Sequence, residues 1–469
     1  MNTGSLVWFK NDLRLHDNEV LVKAVNRGAP ILFLYCLDPN LFKNTFLSFK
    51  KTGLNRYFFI KQTLEDLERS LKDLDVKLII TYNSAEIVIP KLIGKYNIDI
   101  IYTEQEYAHE ELIVLEKLQK KVAPAVVIEQ IWGKTLYHID DIPFKIEDIP
   151  LTSKAYRIPT GKNATVRQPL AIPEKLLPMD HTEHSYFPSL QELGFTASDT
   201  IEKQPFMHGG ESKALEQLQH YTFDTELLTS YRWTRNRSLG YEYSTKFSPY
   251  LAVGSLSPRT IYNQVKKYEQ EVKKNQSTWW VIFELVWRDY FTFKGMKMGN
   301  AIFKTEGYRN KKLEFTNHKE LFEKWCTGNT GVPFVDAHMR QLNQTGYMSN
   351  RGRVNCSSFL VHDYKIDWTW GAAYFENRLI DYDVSSNWMN WHVQAYEIWY
   401  TNPIHQSLKY KAKTYIQKWI PELTHIESNY IYIPWLLQPK PNYPSPVAIY
   451  KKWDRSINKI LKTVASEEV

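Results

Sequence analysis

Cysteine is scarce in this sequence: the chain has three in 469 residues, Cys36, Cys326 and Cys356, odd in number and far apart. That spacing excludes a disulfide framework and a cysteine-based zinc site, and it suggests a reducing compartment. No metal site is expected. Long apolar runs are also missing. The start, "MNTGSLVWFKNDLRLHDN", meets Lys10, Asp12, Arg14, His16 and Asp17 before a membrane span or a secretory signal could form. A cytoplasmic protein without membrane attachment is therefore expected. No internal repeat and no low-complexity tract stand out. Charge of one sign is in modest excess; a net +7 permits a polyanionic partner without demanding one.

Aromatic residues, by contrast, are abundant, at 14% of the chain with 15 Trp and 30 Tyr. Composition alone fits packing of large side chains in the core as well as stacking on a ligand. A chain of 469 residues is too long for one ordinary core, so two or more domains are expected. The first part alternates short apolar runs, "SLVWF", "APILFLYCL", "VKLIITY", "IDIIYTE" and "AVVIEQI", with helical patterns such as "KTGLNRYFFIKQTLEDLERSLKDL". This rhythm predicts a parallel, Rossmann-like α/β sheet of about five strands over 1–131. Such sheets place ligands at the carboxyl ends of their strands. Neither GxGxxG nor GxxxxGK[ST] occurs there, which argues against the common dinucleotide and nucleoside-triphosphate sites.

Residues 132–205 lose the rhythm and carry proline repeatedly, from Pro143 to Pro205, as a long connecting segment over the surface would. From 206 to 469 the pattern is helical and free of strands. "TWWVIFELVWRDYFTFKGM" and "NRGRVNCSSFLVHDY" are apolar nearly all round, as in helices buried within a bundle.

Several polar residues interrupt that helical core: Glu284, Arg351, Arg353, Asp381 and Asp383, with a Ser/Thr cluster in "YSTKFS". Taken singly, such residues are more often solvated or salt-bridged than functional. Taken together they are a set. Hydroxyls and free backbone N–H groups at a helix start bind phosphate, guanidinium groups pair with carboxylates or phosphates, and Asn amides pair with a heterocycle edge. "LIDYDVSSNWMNWHVQAYEIWY" concentrates the question, because it sets two carboxylates and two amides among indoles.

These motifs, in this order, resemble the photolyase/cryptochrome family, and most of all its DASH-type cryptochromes. The resemblance runs from "VWFKNDLRLHDN" through "RNRSLGYEYSTKFSPYLAVGSLSPR", "FELVWRDYF" and "TGVPFVDAHMRQLNQTGYMSNRGR" to "KIDWTWGAAYFENRLIDYDVSSNW", almost the whole chain. It implies an N-terminal α/β antenna domain and a helical domain holding FAD folded back on itself. It also implies blue-light repair of cyclobutane pyrimidine dimers in DNA, single strands preferred, by a monomer.

Carried over by position, Tyr231, Ser244, Thr245 and Ser248 would contact the FAD phosphates and ribityl chain. Glu284, Trp287 and Arg288 would border the flavin and the DNA-facing cavity, Trp287 either stacking on flipped bases or packing in the core. Asn350 and Arg353 would line the isoalloxazine, with Arg353 paired to Asp381 and Asp383, and Asn387 would face flavin N5, where a neutral amide favours reduced states. Trp391 and Trp368 match the first two stations of the family's electron relay, or else simply pack. The third station is Phe315, and phenylalanine is hard to oxidise.

Further departures cluster where a lesion would bind. Val354 stands in place of a glutamine and Val393 in place of an aromatic residue, and the glycine-rich loop expected after Trp391 is replaced by "QAYEIWYTNP". They favour the alternative of a non-repairing light sensor or nucleic-acid-binding flavoprotein. A relative that has lost FAD is the weakest reading, because Glu284, Arg353, Asp381, Asp383 and Asn387 all remain. Glu110 matches a folate-contacting acid of relatives, which admits a methenyltetrahydrofolate antenna, although His109 replaces the usual asparagine. An acid at a helix start also stabilises the helix dipole.

Overall fold

Alternate residues of the first strand face two different cores, which is what a sheet covered on both sides requires. In the computed structural model, which describes residues 3–196, 205–397 and 400–467, this strand is Gly4–Phe9 (β1). Its Leu6 and Trp8 pack with Leu32, Ile79 and Ile101 under helix Ala85–Tyr96. Val7 and Phe9 join the opposite core, which continues into the helical half. β2 (Ile31–Cys36), β3 (Leu78–Thr81), β4 (Ile98–Glu104) and β5 (Val127–Ile131) complete a five-stranded parallel sheet in the order β3-β2-β1-β4-β5. The order reverses between β1 and β4, so the crevice beyond their carboxyl ends is the expected ligand position of such a sheet. There Lys134 Nζ sits 2.5 Å from Glu104 and 3.1 Å from Glu106, all three side chains buried.

Beyond β5 no further strand occurs among the described residues. The proline-rich segment is less superficial than its composition suggests. Trp132, Leu136, Tyr137 and Tyr156 are buried, and Asp289 accepts from the backbone N–H groups of Leu136 and Tyr137, each at 2.9 Å. The segment also carries helix Ser153–Asn163, and farther along Met179 N donates to Ile31 O at the sheet, 2.9 Å away. Residues 197–204 lie outside the described residues.

The two halves are joined by a buried ion pair. Arg259 grips Asp17 with Nε–Oδ2 at 2.9 Å and Nη2–Oδ1 at 2.6 Å, a bidentate pairing. Beside it Arg14 Nη1 donates to Gly254 O at 2.8 Å. Gly254 is left-handed (φ +70°), and a Cβ there would stand 1.8 Å from Asn11 O, so only glycine fits. Two distant sequence motifs, "LRLHDN" and "VGSLSPR", thereby meet. No helix of the described residues is long and apolar enough to cross a membrane.

Candidate functional site

Four helices bring the interrupting polar residues together. Ser248 opens helix Ser248–Val253, and Asn350 opens Asn350–Ser358 behind Ser349, whose Oγ accepts from Gly352 N at 3.1 Å. Glu284 and Arg288 lie midway along Gln276–Met298, and Asn387 and Trp391 lie on Val384–Tyr396. Between these helices are two adjoining cavities of about 250 and 240 Å³. Arg353, Val354, Asp381, Asp383, Asn387 and Trp391 line the first; Tyr231, Ser244, Thr245, Glu284 and Arg288 line the second; Ser248 and Asn350 belong to both.

In the first cavity Arg353 Nη2 meets Asp381 Oδ2 at 2.7 Å, and Ser248 Oγ donates to the same oxygen at 2.7 Å. Burial works against the Arg353 charge, but Asp381 outweighs it and holds the guanidinium above its ordinary range. The other carboxylate oxygen, Asp381 Oδ1, is buried without a partner. Asp383 does not share the guanidinium as expected. It caps helix Val384–Tyr396, accepting from Ser386 N at 2.8 Å, because a carboxylate just before a helix start satisfies a free N–H more directly than a remote cation. Asn387 Nδ2 donates to Ala372 O at 3.0 Å, which leaves its carbonyl oxygen for the cavity.

The second cavity also contains a buried cation that no sequence motif marks. Lys246, in the middle of "YSTKFS", is 1% exposed. It takes a left-handed backbone (φ +57°), unusual for a residue with a Cβ. Its Nζ donates to Ser244 Oγ at 2.8 Å and lies 3.5 Å from the centre of the Tyr243 ring, with Tyr347 and Tyr241 beyond. No carboxylate pairs with it among the described residues, and burial pushes its pKa down to about 7. A buried ammonium without a counter-ion is costly. Glu284 across the cavity is committed to Arg235 (2.5 Å) and to Trp280 Nε1 (2.9 Å). Burial raises its carboxyl pKa, while these partners oppose the shift.

A ligand with an anionic diphosphate at one end and hydrogen-bond donors at the other suits these orphaned groups, and FAD has both. The match carries a pH signature. An anion bound beside Lys246 raises its pKa, so binding takes up a proton. FAD affinity of flavin-depleted protein should therefore rise as pH falls from about 9 toward 7 and level off below. In Lys246→Met the affinity should be weaker and this slope flattened, as read by fluorescence titration.

Other expected residues lie elsewhere. Trp287 lines neither cavity; it is half-buried on the outer side of its helix, between Phe283 and Phe291. Trp391 forms the cavity wall and meets Trp325 and Phe375 edge-on at 6.0 and 5.0 Å. Trp368 is fully buried on the neighbouring helix, its Nε1 donating to Thr305 O at 3.0 Å. That same carbonyl accepts from Tyr396 Oη. Phe315 is half-buried against the core. Val354 lines the first cavity, but Val393 does not. The residue on the wall there is Gln394, whose amide oxygen and nitrogen are both buried without partners. Of the stretch replacing the glycine-rich loop, Ile398 and Trp399 lie outside the described residues. Glu110 borders a separate cavity of about 320 Å³ with Lys51, with which it pairs, and with His109, Arg56 and Trp388.

Comparison with known proteins places these sites in a family. Residues 5–173 match the DNA photolyase family model, and residues 280–463 match the FAD binding domain of DNA photolyase. Cryptochrome DASH of Gloeobacter violaceus is 41% identical over 94% of this chain and 92% of its own length. That of Synechocystis sp. is 42% identical over 92% and 90%. The crystal structure of a Synechocystis sp. cryptochrome superposes with a TM-score of 0.91 at 39% identity, covering 98% of this chain and 99% of the other.

Proposed function

This chain belongs to the DASH cryptochromes of the photolyase/cryptochrome family, with FAD as its cofactor, and from that premise we propose that it splits cyclobutane pyrimidine dimers in single-stranded DNA under blue light. The observation that carries the reading is the paired hollow. Its one end holds Arg353, Asp381 and Ser248 with an unsatisfied carboxylate oxygen, and its other end holds the uncompensated Lys246. When bound, reduced FAD supplies the absorption of light and one electron, which returns after the two cyclobutane C–C bonds have parted, so no reductant is consumed.

The chain's own residues bind and orient. Ser244, Thr245 and Lys246 would hold the diphosphate, and Arg353, Asp381 and Asn350 the polar edge of the ring system. The Asn387 carbonyl oxygen would accept a hydrogen bond from the reduced ring. Glu284, positioned by Arg235 and Trp280, offers an acceptor to a pyrimidine imide N–H. Single strands are favoured because extruding a dimer from them opens no duplex. Glu110 and its cavity would hold the folate antenna. Anaerobic illumination of reduced protein with a dimer-containing single-stranded oligonucleotide tests the proposal, read by chromatography of the restored bases. The absence of splitting, with full flavin content, would sink it. The second reading, a light sensor that does not repair, is favoured by one observation: Val354 puts an apolar side chain where the cavity wall would need an amide.

Recharging the flavin by light requires electrons to reach Trp391 from outside. Phe315 closes the usual outlet; what remains includes the ring contact of Trp391 with Trp325, and the Thr305 carbonyl that accepts from both Trp368 Nε1 and Tyr396 Oη. With a thiol reductant present, Phe315→Trp should speed photoreduction, and Trp391→Phe should largely stop it. If both variants reduce at the original rate, these indoles serve packing alone.

A further inference from the structure

Trp368 packs against a group of polar side chains that the cofactor cavities do not use. His392 is fully buried, and neither of its ring nitrogens has a hydrogen-bond partner among the described residues. Its imidazole stands edge-on to Trp368 at 5.8 Å and lies face to face on Tyr308, with ring centres 3.9 Å apart. Gly307 allows that stack. It is left-handed (φ +59°), and a Cβ there would stand 2.3 Å from the imidazole. Trp368 is fully buried and Tyr308 only half-buried, so the row Trp368, His392, Tyr308 runs from the core toward the surface.

The phenol at the end of this row is held for proton transfer. Lys294, 1% exposed, donates from Nζ to Tyr308 Oη at 2.7 Å. With Lys294 donating to its oxygen, the phenol turns its own O–H to Glu397 Oε1. Arg309 Nη2 lies 3.2 Å from the same carboxylate oxygen. Burial works against the Glu397 charge, but Tyr308, Lys294 and Arg309 outweigh it and hold the carboxyl below its ordinary range. Burial, reinforced by Glu397, holds the Tyr308 phenol above its ordinary range. A protonated phenol therefore faces an ionised carboxylate. The neighbouring rings have no such base. Tyr396 Oη donates to the carbonyls of Thr305 and Lys311, which do not take up a proton. Trp325 is fully buried, its Nε1 on Cys356 O at 3.0 Å. Burial pushes the His392 pKa down to about 4, which makes its imidazole a poor proton acceptor.

We propose that Tyr308 is a redox-active tyrosine, the terminal electron donor of this chain, which passes an electron along the His392–Trp368 row while its phenolic proton goes to Glu397. This role rests on the reading of Trp391 and Trp368 as an electron relay, and it supplies the outlet that Phe315 closes. Once Trp391 has given an electron to photoexcited oxidised flavin and Trp368 has refilled it, Trp368 is a radical cation. The Tyr308 O–H bond then breaks. Its electron fills Trp368, its proton forms an O–H bond on Glu397, and a neutral Tyr308 radical remains. An external thiolate returns one electron, Glu397 returns the proton to Tyr308 Oη, and a thiyl radical leaves. The proton transfer is essential, because a phenol that kept its proton would be left as a strongly acidic radical cation, too oxidising for an indole to generate.

Freeze-quench electron paramagnetic resonance of the flavin-loaded protein under blue light, without thiol, reads the radical directly. The unaltered protein should give a tyrosyl signal that narrows with ring-deuterated tyrosine. Tyr308→Phe should abolish that signal, and Tyr396→Phe should keep it. Glu397→Gln, which keeps the shape of a surface side chain but cannot take the proton, should slow its formation roughly 100-fold or more. A tyrosyl signal that survives Tyr308→Phe overturns the proposal, as does formation at the original rate in Glu397→Gln, or an unaltered protein that yields tryptophanyl radicals alone. If Trp391→Phe abolishes every protein radical while Tyr308→Phe changes nothing, the relay stands and the role of Tyr308 falls. If the tyrosyl signal depends on Tyr308 and Trp368 but not on Trp391, the relay through Trp391 falls and the redox-active tyrosine stands. Dimer splitting by protein reduced beforehand needs no outside electron, so the repair reading is decided separately.

Discussion

Asp381→Ala should give protein that is largely colourless or insoluble. Asp381 is buried, and the Arg353 side chain, half-buried on the cavity wall, is the cation that balances its charge, 2.7 Å away. Arg353 Nε is already committed to Met348 O at 2.9 Å, so the group cannot swing out to another partner without giving up that bond. Removing one member of a buried pair costs about 3–5 kcal/mol. A domain is held by about 5–15 kcal/mol in total, so this loss is a large fraction. The same substitution frees Ser248 Oγ and removes the unsatisfied Oδ1 that a flavin edge would use. Asp381→Asn, which keeps the shape and an acceptor but not the charge, should fall between. Asp383→Ala removes only a helix cap, about 1 kcal/mol, and should retain most of the flavin. The check is the ratio of flavin to protein absorbance after purification, with melting curves with and without added FAD. A soluble Asp381→Ala protein with full flavin content would falsify the pairing as the basis of cofactor retention.

Helical periodicity decides which parts of this site were legible in the sequence. The strands could be read because short Val/Ile/Leu runs alternate with longer helical patterns, and the observed strands fall on those runs, with β1 to β4 largely buried and the edge strand β5 mostly not. The meeting of Arg353 with Asp381 came from the order of motifs rather than from any local pattern. The role of Asp383 was readable: in "DVSS" an acid stands three residues before a serine at a helix start, a capping arrangement. Val393 lines neither cavity. Two residues along a helix turn the side chain by about 200°, away from Trp391, whereas 387, 391 and 394 share a face. Lys246 is different. Nothing in "YSTKFS" distinguishes a solvated lysine from one closed in by Tyr241, Tyr243 and Tyr347, because two of those rings precede it and the third arrives from a hundred residues away.

Gln394→Leu should stabilise the free protein and at the same time blur its distinction between damaged and undamaged strands, and this pairing of effects is the strongest test of the lesion pocket. In the proposed reading the dimer edge enters the flavin cavity at the wall made by Val354, Asn390, Trp391 and Gln394, where both amide atoms of Gln394 are buried without partners. Leaving such a group unsatisfied costs about 1–3 kcal/mol, which an apolar side chain of similar size would not pay. A polar ligand edge in the cavity would recover that energy, so the amide contributes to binding what it costs in stability. The position thereby supplies the hydrogen-bonding capacity that Val354 lacks across the same cavity. Val354→Gln should add a second amide and tighten dimer binding by roughly 10-fold for each 1.4 kcal/mol gained. Val393→Tyr should change binding little, since Val393 is half-buried against the edge of the core and lines neither cavity. Melting temperature, together with dissociation constants for dimer-containing and undamaged single strands, separates the cases. A Gln394→Leu protein that melts lower, or that keeps full selectivity for the dimer, would mean that the amide is engaged by something other than the lesion. A gain from Val354→Gln in dimer binding without a gain in splitting would place the bound dimer too far from the flavin and turn attention to the sequence "QAYEIWYTNP" that replaces the glycine-rich loop.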